Sequence, residues 1–268
     1  MSEVDSTKDV NSACLNDYFD KRANDFVDFY RTRSDFKERY KTFEKNINWI
    51  LCKMDLSNFI CMDIGCGSGI LSRIVAKRGG QVIGIDQSAK MIKLAREEAE
   101  RECLSNLTNY VHSSFPGNLE EFYGKCDLII ASSVLEYIED PYGVLVEVNR
   151  LLEKNGFFLV SLPNYWAIYR FLERILKRYS IKRYSRLKYQ KHQFSISGFK
   201  RLISRCGFDY VRHEYFAAPS LVYKIGLNCR SFLIGNLFLA ILQKRAGVLI
   251  GSHNDNKSEH NHISPECG

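Results

Sequence analysis

Phe59-Ile60-Cys61-Met62-Asp63-Ile64-Gly65-Cys66-Gly67-Ser68-Gly69 decides the reading of this chain. An apolar run ends in an acid and then in three glycines at every second position. Glycine admits backbone conformations and close approaches that side-chain-bearing residues cannot. The apolar run reads as a buried strand, and Ile70, Leu71, Ile74 and Val75 read as the start of a helix. A strand, a glycine turn and a helix N-terminus form a nucleotide-sized site.

A dinucleotide fingerprint needs its third glycine where this chain has Ile70, and a phosphate-cradling loop needs a Gly-Lys-Ser/Thr ending that is absent. Asp63 would repel a phosphate and suits an amino-bearing ligand instead. A second strand, Val82-Ile83-Gly84-Ile85-Asp86, ends in another acid. A carboxylate at that tip is placed to accept both hydroxyls of a ribose.

With these residues in place, Asp63 to Gly69, Asp86-Gln87-Ser88 and Cys126 to Glu136 resemble the successive motifs of class I S-adenosylmethionine-dependent methyltransferases. The chain is most similar to the small-molecule and quinone-precursor branch, over roughly residues 40 to 215. The resemblance implies an α/β, Rossmann-like, seven-stranded and mostly parallel sheet with helices on both faces, the last strand antiparallel, and helical cap insertions. It implies S-adenosyl-L-methionine as cofactor, with S-adenosyl-L-homocysteine as product. Asp63, Gly65, Cys66, Gly67 and Gly69 would underlie the amino-acid end, and Asp86 would grip the ribose. Gln87 and Met91 would line the adenine, while Ser113 or Ser114 stands where relatives commonly place an acid. Ser132 and Ser133 end the fourth strand, facing the ligand crevice. N-terminal helices in relatives fold over the cofactor, so Tyr18, Arg22 and Tyr30 are expected to reach the pocket.

Methyl transfer from a sulfonium is an in-line displacement, in which alignment supplies most of the acceleration. A base is needed only if the acceptor must lose a proton. Glu136 and Tyr137 follow the fourth strand, and Tyr137 stands where many relatives have His. His192, Tyr137 and Glu136 are the candidate catalytic residues, and His192, at the cap's return to the core, is a base candidate. His112 and His213 read as structural, and His253, His260 and His262 lie in a polar tail. No metal constellation is visible.

Periodicity places strands at 58–63, 81–85, 108–112, 126–132, 156–162, 207–215 and 246–252, and helices at 69–78, 89–103, 141–152 and 197–205. Residues 1–15 read as a disordered tail, 16–252 as the methyltransferase domain with a helical cap at 16–53, and 253–268 as a polar tail. Insertions at 164–191 and 217–245 exceed a minimal core. The apolar 217–245 stretch points to a hydrophobic or isoprenoid-bearing acceptor.

The chain has 268 residues, nine cysteines and a net charge of +7. Met1-Ser2-Glu3-Val4-Asp5 is polar and acidic and is not expected to be a signal peptide, and there is no Cys-x-x-Cys and no apolar run of bilayer length. These features predict a cytoplasmic protein with reduced cysteines. The basicity is local: residues 170–191 carry nine Lys and Arg against Glu173 alone. Tyr165 to Tyr179 has apolar residues at helical spacing with a basic opposite face, the pattern of an interfacial helix. The expected function is methyl transfer to a small or lipid-linked acceptor, isoprenoid- or phosphate-bearing, with peripheral contact to an anionic membrane through 165–191 and no nucleic acid. The alternatives are a non-catalytic subunit of the same fold, which intact Gly65, Gly67, Gly69 and Asp86 argue against, and an RNA methyltransferase. The acceptor, the methylated atom and the oligomeric state stay open.

Overall fold

The computed structural model describes residues 16–171, 189–218 and 231–246. The expected tails at 1–15 and 253–268 lie outside them, as do most of the basic segment and the three C-terminal histidines.

The first half winds as β1 (Ile60–Ile64), α3 (Ile70–Ala76), β2 (Gln81–Asp86), α4 (Ala89–Arg101) and β3 (Thr108–His112), preceded by α1 (Ala23–Thr32) and α2 (Ser34–Leu51). The second half runs β4 (Cys126–Ser132), α5 (Pro141–Leu151), β5 (Leu152–Pro163), α6 (Ile196–Arg205), β6 (Phe208–Phe216) and β7 (Leu237–Lys244). The strand order is β3-β2-β1-β4-β5-β7-β6. All pairs are parallel except those that β7 makes with β5 and β6. The order reverses between β1 and β4, and a ligand crevice opens at the carboxyl ends of strands flanking such a switch point.

Two apolar layers cover the sheet. Cys61, Leu128, Ile130 and Leu159 face α2, α3 and α4, while Met62, Ile129, Phe158 and Val160 face α5 and α6. Successive strand residues point to opposite faces, so a strand buried on both sides is apolar throughout. Ser88 and Asp140 cap α4 and α5 by accepting the Met91 and Gly143 amides.

The seventh strand is a correction. It is Leu237–Lys244 rather than 246–252, of which 247–252 lie outside the described residues. Leu237 to Leu242 are buried between β5 and β6. These apolar residues are core, not part of an acceptor-binding insertion. A central strand lacks alternation, so its apolar run carried no strand signature. β5 also begins earlier than expected, at Leu152, with a register irregularity against β4 between Cys126 and Leu128.

The cap at the N-terminus is built on aromatic contacts. Phe26, Phe29 and Tyr30 surround the ring of Phe36, with centroids 5.0–6.0 Å away. α2 is clasped to the end of the sheet by Glu38, which accepts the Ala217 amide at 2.8 Å, and by Lys45 paired with Glu214 at 2.8 Å. Among the described residues all cysteines are free, no helix is long and apolar enough to cross a membrane, and no group of His, Cys, Asp and Glu could hold a metal ion.

Candidate functional site

The glycine turn takes the shape its sequence demands. Gly65, Gly67 and Gly69 have φ of 65°, 54° and 70°, the left-handed region that favours glycine. Gly65 and Cys66 donate their amides to the Ile85 carbonyl at 2.8 and 3.0 Å, and Gly67 donates to Asp86 Oδ2 at 2.9 Å. The Ser88 amide donates to Asp86 Oδ1 at 2.8 Å. Asp86 thus ties the β1 turn to the β2 turn. Burial raises its carboxyl above the usual range, and the two amides pull the other way. A carboxylate has about four lone-pair sites, so each oxygen keeps capacity for a hydroxyl donor.

Asp63, the penultimate residue of β1, is 1% exposed. Ser72 Oγ donates to its Oδ2 at 2.6 Å, while its Oδ1 is buried with no partner. Burial pushes this carboxyl up to about 7. An orphaned carboxylate oxygen bordering a cavity calls for a donor, and an ammonium group supplies one.

At the end of β4, Ser133 has φ of 57°, an uncommon value for a non-glycine residue. Its amide is held by Ser161, at 3.0 Å to Oγ. Arg39 of α2 reaches across to this end. Its guanidinium donates to Ser132 Oγ at 3.2 and 2.7 Å and to Ser133 Oγ at 2.7 Å. Sequence reading missed Arg39. The signal was there: it lies three residues after Phe36 and four before Phe43, on the buried stripe of its helix.

These groups open on one cavity of about 680 Å³. Asp63, Gly65, Cys66, Gly67, Asp86, Gln87, Met91, Ser113, Ser114, Ser132, Ser133 and Tyr137 all line it, as does Tyr30. Phe19, Phe26, Phe36 and Tyr189 add aromatic rings to its wall. Lys191 and Glu139, paired at 2.8 Å, also line it.

Five expected residues do not line it. Gly69 is held against Tyr110, whose Oη would be 2.4 Å from a Cβ added there. Tyr18 and Arg22 bond to each other at 2.6 Å, and Phe19 takes the inward position. The His192 ring lies 3.2 Å from the Glu139 carbonyl, so this expected base makes a main-chain contact instead. Glu136 is 3% exposed and sits behind the wall.

A crevice at a switch point with a glycine turn and a ribose-ready acid defines a nucleotide-binding α/β domain of the class I S-adenosylmethionine-dependent methyltransferase type. The comparisons agree. A family model described as "Methyltransferase domain" matches residues 55–200, more than half of the chain, and the chain belongs to that family. It is 30% identical over 131 residues to a ubiquinone biosynthesis O-methyltransferase of Pseudomonas paraeruginosa, covering 49% of this chain and 56% of that protein. The chain thus spans little more than half the length of that relative. A Vibrio parahaemolyticus protein of the same name is 27% identical over 192 residues, or 71% of this chain and 72% of that one. The magnesium protoporphyrin IX methyltransferase of Synechocystis PCC 6803, solved with bound S-adenosylhomocysteine, superposes with a TM-score of 0.65 at 18% identity, covering 87% of this chain and 99% of that chain.

Proposed function

We propose that this chain transfers a methyl group from S-adenosylmethionine to a hydroxyl of a small, largely aromatic or apolar acceptor. The observation that carries the reading is one cavity lined both by Asp86, Asp63 and Arg39 and by the aromatic rings of Phe19, Phe26, Tyr30, Phe36 and Tyr189. The similarity to O-methyltransferases supports oxygen as the methylated atom.

The residues fit the cofactor. Asp86 would accept the ribose hydroxyls through oxygens already fixed by Gly67 and Ser88. The orphaned Asp63 oxygen would take the ammonium, and Arg39 would present its fork to the carboxylate. Gln87, Met91, Ser113 and Ser114 would border the adenine. Bound there, S-adenosylmethionine supplies an electrophilic methyl carbon on a sulfonium. The chain's own work is to hold, align and dry the reacting centre, and Phe19, Phe26, Tyr30 and Phe36 exclude water over it. The test is calorimetric titration with S-adenosylhomocysteine, followed by transfer of labelled methyl to a panel of phenols. Binding with transfer supports the reading. Binding without transfer to any phenol favours the non-catalytic subunit, and no binding overturns both.

A second reading concerns where the reaction occurs. Trp166, Ile168, Phe171 and Phe232 are each more than half exposed. Their two segments are joined by the Ile168 amide donating to the Leu233 carbonyl at 2.9 Å and by Asn164 Nδ2 donating to the Phe232 carbonyl at 2.6 Å. This patch begins the basic segment, and together they favour peripheral contact with an anionic membrane and a lipid-linked acceptor.

A further inference from the structure

We propose that Ser132 holds the acceptor by its oxygen through a hydroxyl that can only donate, and that the acceptor is therefore taken up as its oxyanion, a phenolate. The inference rests on the hydroxyl-acceptor reading above and narrows it from hydroxyls in general to acidic ones.

Ser132 is the last residue of β4, at the carboxyl end that faces the crevice, and it lines the cavity. Arg39 reaches its Oγ with two donors, Nε at 3.2 Å and Nη2 at 2.7 Å. A hydroxyl oxygen has two lone pairs and one proton. Arg39 takes both lone pairs, so Ser132 can accept nothing more. Its proton is left, and among the described residues no oxygen accepts it. It is free to bond to a ligand oxygen in the cavity.

The surroundings fix this direction. The same Nη2 donates to Ser133 Oγ at 2.7 Å and lies 3.4 Å from Ser161 Oγ on β5, where Ser161 is the register partner of Ser132. Ser161 Oγ in turn accepts the Ser133 amide at 3.0 Å. The guanidinium is thus seated on the ends of two neighbouring strands. Its Nη1 makes no bond to the described residues and keeps its hydrogens for the cofactor carboxylate. Arg39 therefore serves the cofactor with one nitrogen and, as a positioning residue, orients Ser132 with the others.

The charge state of the acceptor follows from the same bonds. Two N–H groups of a cation polarise the Ser132 O–H and strengthen it as a donor. Such a donor favours the oxygen that carries most charge. A neutral acceptor hydroxyl would also arrive with a proton to place, and no described histidine lines the cavity. Asp86 holds the Gly67 and Ser88 amides, Glu139 holds Lys191, and the free Asp63 oxygen is kept for the cofactor's ammonium. Ser133 Oγ has a lone pair left, but the same guanidinium on its oxygen makes it a weak acceptor. A phenolate has no proton to place. Its O–H bond breaks in solution, the proton goes to water, and the electron pair stays on the oxygen that Ser132 then holds. An acidic phenol supplies that anion near neutral pH, and an aliphatic alcohol does not.

The test uses 4-nitrocatechol, whose phenolate absorbs at longer wavelength than its phenol. It is added to protein saturated with S-adenosylhomocysteine, at the pH where the free probe is half ionised. Bound to wild type, its phenolate-to-phenol ratio should rise about tenfold or more over free solution, the effect of one hydrogen bond to a charged group. In Ser132→Ala the ratio should fall by about fivefold or more from the wild-type value, and Ser132→Thr, which keeps the hydroxyl, should restore it. Saturation with S-adenosylhomocysteine, followed by calorimetry, certifies that each variant is folded. If Ser132→Ala does not bind it, the near-isosteric pair Ser132→Thr and Ser132→Val carries the same comparison. Equal ratios in wild type and a folded variant without the hydroxyl overturn the assignment, as does a probe bound to wild type at its free-solution ratio. The hydroxyl-acceptor reading survives both. Loss of S-adenosylhomocysteine binding in all three variants makes Ser132 part of the cofactor site or the fold and also overturns the assignment. Wild type that binds S-adenosylhomocysteine but not 4-nitrocatechol overturns the hydroxyl-acceptor reading and the assignment with it. Failure of wild type to bind S-adenosylhomocysteine overturns the cofactor reading itself.

Discussion

Asp86 Oδ2 accepts the amide of Gly67 at 2.9 Å, so the acid that ends β2 holds the turn that follows β1. One side chain therefore has two duties: it fixes the glycine backbone and it faces the ribose position. Asp86→Ala should abolish measurable S-adenosylhomocysteine binding. Asp86→Asn retains one acceptor oxygen but replaces the other with a donor facing an N–H. Hydrogen bonds to charged groups are worth about 1.5–3 kcal/mol, so Asp86→Asn should weaken binding by roughly ten- to a hundredfold. Calorimetric titration of both variants checks this.

The glycines separate folding from binding. A Cβ on Gly69 would lie 2.4 Å from Tyr110 Oη, and one on Gly65 would lie 2.5 Å from Val134 Cγ2. A Cβ on Gly67 meets only Met91 Sδ, at 3.9 Å, and points into open cavity. Gly67→Ala should therefore cost only the left-handed backbone term, about 1–2 kcal/mol, yet lose cofactor affinity more than tenfold. Gly69→Ala should cost more stability because Tyr110 must move as well. Denaturant melts beside binding titrations distinguish the two, and equal stability losses would refute the steric account.

Asp63 and Glu136 both have carboxyls raised to about 7 by burial. A folded-state value above the unfolded one means the native state keeps protons that the unfolded chain has released. Stability therefore falls as pH rises from about 4 to 7 and levels off above it. Asp63→Asn should flatten part of this slope in denaturation midpoints measured from pH 5 to 8. A bound ammonium favours ionised Asp63, so S-adenosylhomocysteine affinity should climb with pH up to about 7, by at most tenfold per unit. It should be flat over that range in Asp63→Asn.

Arg39 offers a prediction specific to one end of the ligand. Arg39→Met removes the guanidinium that Ser132 and Ser133 orient. It should weaken S-adenosylhomocysteine by about tenfold or more and leave 5′-methylthioadenosine, which lacks the amino-acid end, within twofold. Equal losses for both ligands would mean that Arg39 supports the fold and not the carboxylate.

The parts of this molecule that were legible in the sequence are those where backbone geometry or burial leaves a local mark. The glycine turn, Asp86 and the alternating strands of the first half are of this kind. β7 left no mark because a strand buried on both faces shows no period of two, and its apolar run was measured against a bilayer instead. Arg39 and Phe19 belong to the N-terminal cap, where aromatic spacing fixes a stripe but not which side chain turns inward. Tyr18 and Phe19 are adjacent, and only tertiary packing against Tyr137, 6.1 Å from Phe19, selects the second. His192 looked like a base because the sequence shows a histidine at the cap's return to the core, not the Glu139 carbonyl that engages it.

The exposed patch makes the last prediction. Trp166 and Phe232 stand on segments joined through Asn164 and Leu233, and Tyr165 packs edge-on against Trp166 at 5.1 Å. Apolar side chains in such numbers at a surface need a cover. In sequence, Trp166 is followed at 170–191 by nine Lys and Arg, and each basic residue near an anionic leaflet contributes about 1 kcal/mol. Vesicles of phosphatidylglycerol and phosphatidylcholine should therefore sediment the protein at low salt and release it progressively as ionic strength rises. Replacing Trp166 and Phe232 by Ser should reduce sedimentation at least tenfold while leaving S-adenosylhomocysteine affinity unchanged, because neither side chain lines the cofactor cavity. Protein that stays in the supernatant at low salt would assign the patch to a protein partner or to the acceptor itself. A double variant that still sediments would leave membrane attraction to charge alone.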